Sequence, residues 1–277
     1  MAGKATQKRA PSKKTPRRVM VIVHGGGDIP EDYYNNLVNA IEERLGRSFD
    51  FISVYYSDVV TGRALGVAPL VSVDSPEAKE FKAKFEKQLR DTHARNQADK
   101  RARGIRTPRS GGTILDNAIA DTINEVFQYL FNPSVAGAVQ ARLVEALDQA
   151  TREYDEIVLV SHSLGAVVSF DVLRRFASRY KIAYWFTLGC PLVKLVKMRC
   201  RDTVLGEVGA PHIARWYNAY DTNDFFADAI GACFHAPNCR VHDIFVEVAP
   251  NMPAAHDYFV NGETQDMLAE AMRGNDR

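Results

Sequence analysis

Val158-Leu-Val-Ser-His-Ser-Leu-Gly165 is the stretch whose reading decides the fold of this chain. The apolar run from Ile157 to Val160 has the length and composition of a short buried strand, and it stops at Ser161. Helical spacing begins at once, with Val167, Val168, Phe170, Val172, Leu173 and Phe176 recurring on one face. Strand, sharp turn with Ser163 at its tip, then helix: this is the context in which G-x-S-x-G reads as a nucleophile elbow. Such a turn strains the backbone at the serine and needs small residues two places before and two after, so that strand and helix can pass closely. Ser161 stands at the first of those places and Gly165 at the second. The five letters alone are a weak signal; the strand before them and the helix after them give them weight.

Working outward, Arg18-Val-Met-Val-Ile-Val-His24 holds five consecutive apolar residues, the pattern of a central parallel strand buried on both faces. It ends in His24-Gly25-Gly26-Gly27-Asp28. A helix is expected from about Glu31 to Leu45, stopped by Gly46, and a second strand from about Phe49 to Tyr56. Strand–helix–strand in this order implies a right-handed crossover and a doubly wound, mostly parallel sheet with helices on both faces, an α/β fold. Further strands are expected at about Ala183–Leu188, Ile213–Ala219 and Val241–Val248. Helices are expected at about Thr113–Leu130, which Pro133 ends, at Val135–Thr151 and at Glu263–Met272. No internal repeat and no second domain is visible.

Between the second strand and residue 112 the character changes. Thr61–Val73 reads as irregular, Pro76–Arg103 as a charged helix with Phe81, Phe85 and Leu89 as a thin apolar stripe, and 103–112 as a basic loop rich in chain breakers. More than fifty residues without a sheet strand is too long for an ordinary connection, so 58–112 reads as a helical, lid-like insertion.

The chain has 277 residues, 46% of them hydrophobic and 25% charged, the make-up of one ordinary globular α/β unit. The net charge of +1 conceals seven Lys and Arg and no acid within residues 1–18, read as a disordered basic tail followed by a single domain over 19–277. No apolar run follows the tail and no stretch approaches a membrane span, so a cytoplasmic protein is expected, with Cys190, Cys200, Cys233 and Cys239 as reduced thiols. Between Lys79 and Arg109 eleven Lys and Arg outweigh four acids. With the tail they offer peripheral contact to an anionic membrane, against the plainer reading of a solvated face. Interleaved aromatics and a recognition module are both missing, so no nucleic-acid partner is expected.

A serine nucleophile needs a base in hydrogen-bond reach, and the base needs an acid to orient it. Ligands in open α/β sheets gather beyond the carboxyl ends of the strands, which sorts the seven histidines. His93 falls in the insertion, His212 and His242 at strand starts, and His235 in a loop between elements. His24, ahead of the glycines, reads as a structural hydrogen-bonder, and His162 as a bystander aimed away from the nucleophile. His256, beyond the last strand, remains. The acid should follow the preceding strand, where Asp221 and Asp224 both qualify and Asp228 is a distant third; each is also an ordinary helix N-cap candidate. Gly25, Gly26 and the Leu164 N–H are the candidate oxyanion hole, since glycine lets the backbone approach substrate closely. A phosphate-binding reading of the glycines fails, because G-G-G-D matches neither dinucleotide nor P-loop spacing and Asp58 is the nearest ribose-position acid. Cys233, His235, Cys239 and His242 match no common zinc spacing, so no metal or other cofactor is expected.

With these residues assembled, the chain resembles the lipase/esterase-like members of the α/β-hydrolase superfamily over about residues 18–273. The likeness rests on Val21-Ile-Val-His-Gly-Gly-Gly, Val160-Ser-His-Ser-Leu-Gly, Thr187-Leu-Gly-Cys-Pro-Leu, Arg215-Trp-Tyr-Asn-Ala-Tyr-Asp-Thr-Asn-Asp and Ala255-His-Asp-Tyr-Phe. It implies Ser163 as nucleophile, His256 as general base and then acid, and Asp224 rather than Asp221 as the orienting carboxylate. Ser161 and Cys190 depart from the glycine and serine common at those places. The implied activity is hydrolysis of a carboxylic ester, including lipid or phospholipid esters, through an acyl-enzyme. The alternative is a non-catalytic protein of that fold, binding a partner or an anionic surface through the basic insertion.

Overall fold

Val19 to Val23 are all fully buried, which sets β1 (Arg18–Val23) in the middle of a sheet. In the computed structural model, which describes residues 16–27, 29–61, 75–102, 104, 123–176, 179–199, 213–236 and 238–274, β1 pairs in parallel with β2 (Asp50–Val54) on one side. On its other side it pairs in parallel with β3 (Glu156–His162). Beyond β3 lie β4 (Ile182–Leu188), β5 (Arg215–Tyr220) and β7 (Cys239–Phe245), all parallel. The two-residue β6 (His235–Ala236) closes the far edge antiparallel to β7, giving the order β2-β1-β3-β4-β5-β7-β6.

Period-two alternation divides β1 between two cores. Val19, Val21 and Val23 join a cluster with α5 (Pro133–Glu153), α6 (Leu164–Phe176) and the buried stripe Phe81, Phe85 and Leu89 of α3 (Pro76–Ala102). Met20 and Ile22 join the opposite cluster with α1 (Asn35–Leu45) and α8 (Gly262–Arg273), and the short α2 (Ser57–Val60), α4 (residues 123–131) and α7 (Leu192–Arg199) lie between them in the chain. This is an open α/β sheet with helices on both faces, as the apolar strand and the strand–helix–strand order imply. No helix among the described residues is long and apolar enough to cross a membrane.

The chain winds outward from β1 to β2 on one side and returns to β3 on the other. Loops at the carboxyl ends of β1 and β3 therefore part in opposite directions and leave a crevice, the place where such sheets hold ligands. Both loops carry expected site residues: His24–Gly27 after β1, and Ser163 after β3.

Several boundaries differ from the sequence reading, for local reasons. Residues 31–34 form turns and α1 starts only at Asn35. Pro133 opens α5 instead of merely closing the helix over 123–131: Asn132 Oδ1 accepts the Ser134 and Val135 N–H groups at 3.1 and 3.3 Å, and proline at the first helical position has no N–H to lose. His242 is the fourth residue of β7 rather than its start. Arg18, read with the basic tail, opens β1 and pairs with Glu156 at 2.5 Å, and the Arg17 N–H just before it donates to Asp155. Asp58 forms a two-pronged ion pair with Arg142, at 2.6 and 2.8 Å, and is not free for a ribose. Tail residues 1–15, segments 62–74 and 105–122, Cys200 and His212 lie outside the described residues.

Candidate active site

Ser163 has φ of +50°, the one positive value among the described non-glycine residues. The turn at the tip of β3 imposes that strain. Gly165 explains how α6 leaves so close to β1: a Cβ there would lie 2.4 Å from the His24 carbonyl oxygen and 2.8 Å from that of Val23. Ser161 is accommodated because its buried hydroxyl has partners, Ser169 Oγ at 2.7 Å and the donating Trp185 indole N–H at 3.2 Å.

The loop after β1 is held on every side. His24 is buried, its Nδ1–H donates to the Gly25 carbonyl at 2.6 Å, and its Nε2 accepts the Tyr56 N–H at 2.9 Å. Both contacts fit the neutral ring, and burial pushes its pKa down to about 4. The Tyr56 ring stacks on it with centroids 3.9 Å apart, and the Tyr56 hydroxyl donates to the His24 carbonyl at 2.5 Å. Downstream, the Gly27 N–H donates to Glu125 Oε2 at 2.6 Å, and the Ser57 hydroxyl donates to the Gly27 carbonyl at 3.1 Å. His24 is thus the structural hydrogen-bonder the sequence suggests. Tyr56, Ser57 and Glu125 were not legible as site residues: they sit outside every motif, and only tertiary packing brings them to the glycines.

His256 and Asp224 meet from two different loops. His256 Nδ1 lies 2.7 Å from Asp224 Oδ2, and the Asp224 side chain is fully buried. The same carboxylate accepts the Phe226 N–H at 2.9 Å and the Tyr258 hydroxyl at 3.1 Å. Asp221, the other candidate, turns elsewhere. Its oxygens accept the N–H groups of Asn223 at 2.7 Å, Val248 at 2.9 Å and Ala249 at 3.3 Å, which shape the turn between β5 and the 248–249 segment. Asp228 pairs with the buried Lys194 ammonium at 2.5 Å.

Gly189, at φ +60°, lets the His256 loop close over the end of β4. A Cβ there would stand 3.1 Å from His256 Cε1 and 2.7 Å from Tyr258 Cε2. The neighbouring Leu188 carbonyl accepts the Ser163 N–H at 2.9 Å, so Ser163 and His256 flank the same strand end. No hydrogen bond between Ser163 Oγ and the His256 ring is formed among the described residues. Cys190, next to Gly189, is buried and its thiol pKa is pushed up by burial, the behaviour of a small filler.

His162 does not behave as a bystander. Its Nε2 lies 2.8 Å from the His256 carbonyl oxygen, and the two rings have centroids 4.7 Å apart. Tight-turn geometry directs it to His256.

A cavity of about 570 Å³ opens beside these groups, walled by Gly25, Gly26, Ile29, Tyr33, Phe226, Met252, Phe259 and both His162 and His256; Ser163 itself is not part of its wall. Nearby, α3 reaches the loops that carry Asp224 and His256. Asn96 donates to the Thr222 carbonyl, Lys100 Nζ donates to that of Pro250 at 2.5 Å, and the His93 ring stands edge-on to Phe225 at 5.8 Å. Among the described residues no group of three His, Cys, Asp or Glu side chains is placed to hold a metal ion. Comparison of the chain with protein-family models, with curated proteins and with solved structures finds no match.

Proposed function

We propose that the protein is a serine hydrolase of the α/β-hydrolase, lipase/esterase-like kind, cleaving carboxylic esters through an acyl-enzyme. The observation that carries this reading is the 2.7 Å contact of His256 Nδ1 with the buried Asp224 carboxylate, formed across the strand end that Ser163 flanks. Support also comes from the positive φ of Ser163 and from the position of both loops at the point where the sheet reverses its winding.

In this reading Asp224 holds the proton on Nδ1, leaving the Nε2 lone pair to act as base. Nε2 takes the Ser163 proton as Oγ attacks the ester carbonyl. The negative charge that develops on the carbonyl oxygen is met by the N–H groups of Leu164 and of Gly25 or Gly26, which the clamps on His24 and Gly27 preorganise. His256 then protonates the departing alkoxide. In the second half a water attacks the acyl carbon as the same Nε2 takes its proton, and that proton passes to Ser163 Oγ as it departs, releasing the acid and restoring the serine. The mixed apolar walls of the cavity suit an acyl chain or alcohol of moderate size, lipid esters included. The insertion takes the place of a lid, with α3 anchored to the Thr222 and Pro250 carbonyls.

A fluorophosphonate probe tests the proposal. It should label the wild-type chain and leave Ser163→Ala unlabelled; equal labelling of both, or none of the wild type, refutes it.

A further inference from the structure

We propose that His162 is a positioning residue that fixes the general base, an inference that rests on the reading of Ser163 as nucleophile and His256 as base. His256 sits in a one-turn 3₁₀ segment, Ala254–His256, whose own main-chain bonds reach back only to Asn251 and Pro253. The side chain that ties the carbonyl of His256 to the elbow belongs to His162, the residue next to the nucleophile. A carbonyl can only accept, so His162 Nε2 carries the hydrogen and donates. Burial holds this ring neutral, and the contact with the carbonyl oxygen places its one N–H at Nε2.

The ring has little freedom to turn away. One side meets the His256 ring at 4.7 Å, and Phe259 and Tyr258 stand at 5.3 and 6.0 Å. On the other side is Gly25, where a Cβ would lie 2.9 Å from His162 Nδ1 and 2.8 Å from Ser163 Cβ. One imidazole therefore spaces three pieces of the site: the elbow, the glycine loop and the main chain of the base. Losing its donor leaves that main chain without a tether to β3, and the His256 ring, although still held by Asp224 at Nδ1, shifts relative to Ser163 Oγ. A displacement of about 1 Å costs up to roughly a hundredfold in rate, and the cost falls on the chemical step rather than on substrate binding.

The test compares two variants with the wild-type chain. His162→Phe keeps an aromatic ring in the stack and loses the donor; His162→Gln restores an N–H that reaches the carbonyl. On a neutral short-chain ester, His162→Phe should lower kcat by roughly 10- to 100-fold with KM within about twofold, and slow fluorophosphonate labelling of Ser163 by a similar factor. His162→Gln should recover most of both rates. In ¹⁵N-histidine NMR spectra the His256 ring signal should stay single and narrow in the wild type and in His162→Gln, and broaden or split in His162→Phe. Unchanged rates with an unchanged His256 signal overturn the proposal, as do equal losses in both variants or a rise in KM alone. If His162→Phe fails to fold, His162→Leu takes its place in the same comparison. Failure of the wild type to react at Ser163 would refute the hydrolase reading, while the NMR comparison would still decide whether His162 fixes the ring.

Discussion

Asp224 and Asp221, both buried, stand three residues apart at the ends of one turn, yet they address different partners: Asp224 Oδ2 faces His256 Nδ1 at 2.7 Å, while Asp221 accepts main-chain N–H groups among the described residues. Replacing each by Asn therefore asks which carboxylate the proposed chemistry needs. Asp224→Asn keeps the side-chain volume but no longer fixes the tautomer of the His256 ring. We expect kcat to fall on the order of 10⁴-fold. Burial already disfavours the charge on Asp221, so what Asp221→Asn removes is an acceptor: its amide NH2 faces N–H groups that one of the two oxygens now satisfies, and we expect a loss of about 1–3 kcal/mol in stability with kcat of the folded protein retained. Steady-state kinetics beside denaturant melts of the two variants check this; the reverse pattern would assign the acid to Asp221.

Gly165→Ala sets two effects against each other. Alanine favours a helix by about 1 kcal/mol over glycine. Its methyl group would, however, lie 2.4 Å from the His24 carbonyl oxygen, a main-chain atom that β1 holds in place. Overlap wins, and we expect a net loss of about 2 kcal/mol or more, measured by urea unfolding. Equal or greater stability of the variant would show that α6 can move away from β1.

What the sequence revealed and what it hid follow from the range of the interactions. The buried run Val19–Val23 and the change from an apolar strand to helical spacing after it are local patterns, and they were enough for the open parallel sheet with helices on both faces, although β3 runs on through Ser161, where a break was expected, to His162. Asp221 and Asp224 could not be told apart locally, because both end the same strand and each suits a turn. The choice between them depends on where residues 248 and 256 arrive. Glu125, Tyr56 and Ser57 were invisible for the same reason, and so was the contact of His162, whose partner is a main-chain carbonyl distant in sequence.

Glu125→Gln tests the clamp on the glycine loop. The carboxylate accepts the Gly27 N–H at 2.6 Å, and a neutral amide oxygen in its place holds that donor less tightly. A looser loop presents its N–H groups to the oxyanion less well, and we expect kcat to fall by about tenfold with KM little changed. Pre-steady-state acylation with a chromogenic ester reads this directly; an unaltered acylation rate would remove Glu125 from the argument.

His24 gives the pH dependence of stability a definite sign. Its pKa is pushed from the ordinary 6.5 down to about 4 by burial, so the unfolded chain takes up the proton at a pH where the folded chain does not. The stabilisation is complete above about pH 6.5 and is lost as pH falls toward 4, amounting to about 3 kcal/mol across that window. His162 and His93, also lowered by burial, act in the same direction. We expect urea midpoints to drop between pH 6.5 and 4 and the slope to shrink, without vanishing, in His24→Gln. A slope identical in the variant and the wild type would contradict the burial of a neutral His24.

The attachment of the insertion is the last point open to measurement. Phe85 of α3 is fully buried beside Phe81, whose ring contacts Phe127 and Phe131 of the helix over 123–131 at 5.4 Å each. A helix that merely covered the site would leave such a side chain half exposed and its loss nearly without effect. Truncating a buried phenylalanine costs about 3–5 kcal/mol when it belongs to a continuous core. We expect Phe85→Ala to lower the stability of the whole chain by that amount in one cooperative transition, because the stripe on α3 shares a cluster with Val19, Val21 and Val23 of β1. We also expect the Asn96 and Lys100 anchors on the Thr222 and Pro250 carbonyls to loosen with it, visible as faster amide exchange around Asp224 and His256. A variant that melts like the wild type, with proteolysis confined to α3, would instead make the helix an independent cover over the site.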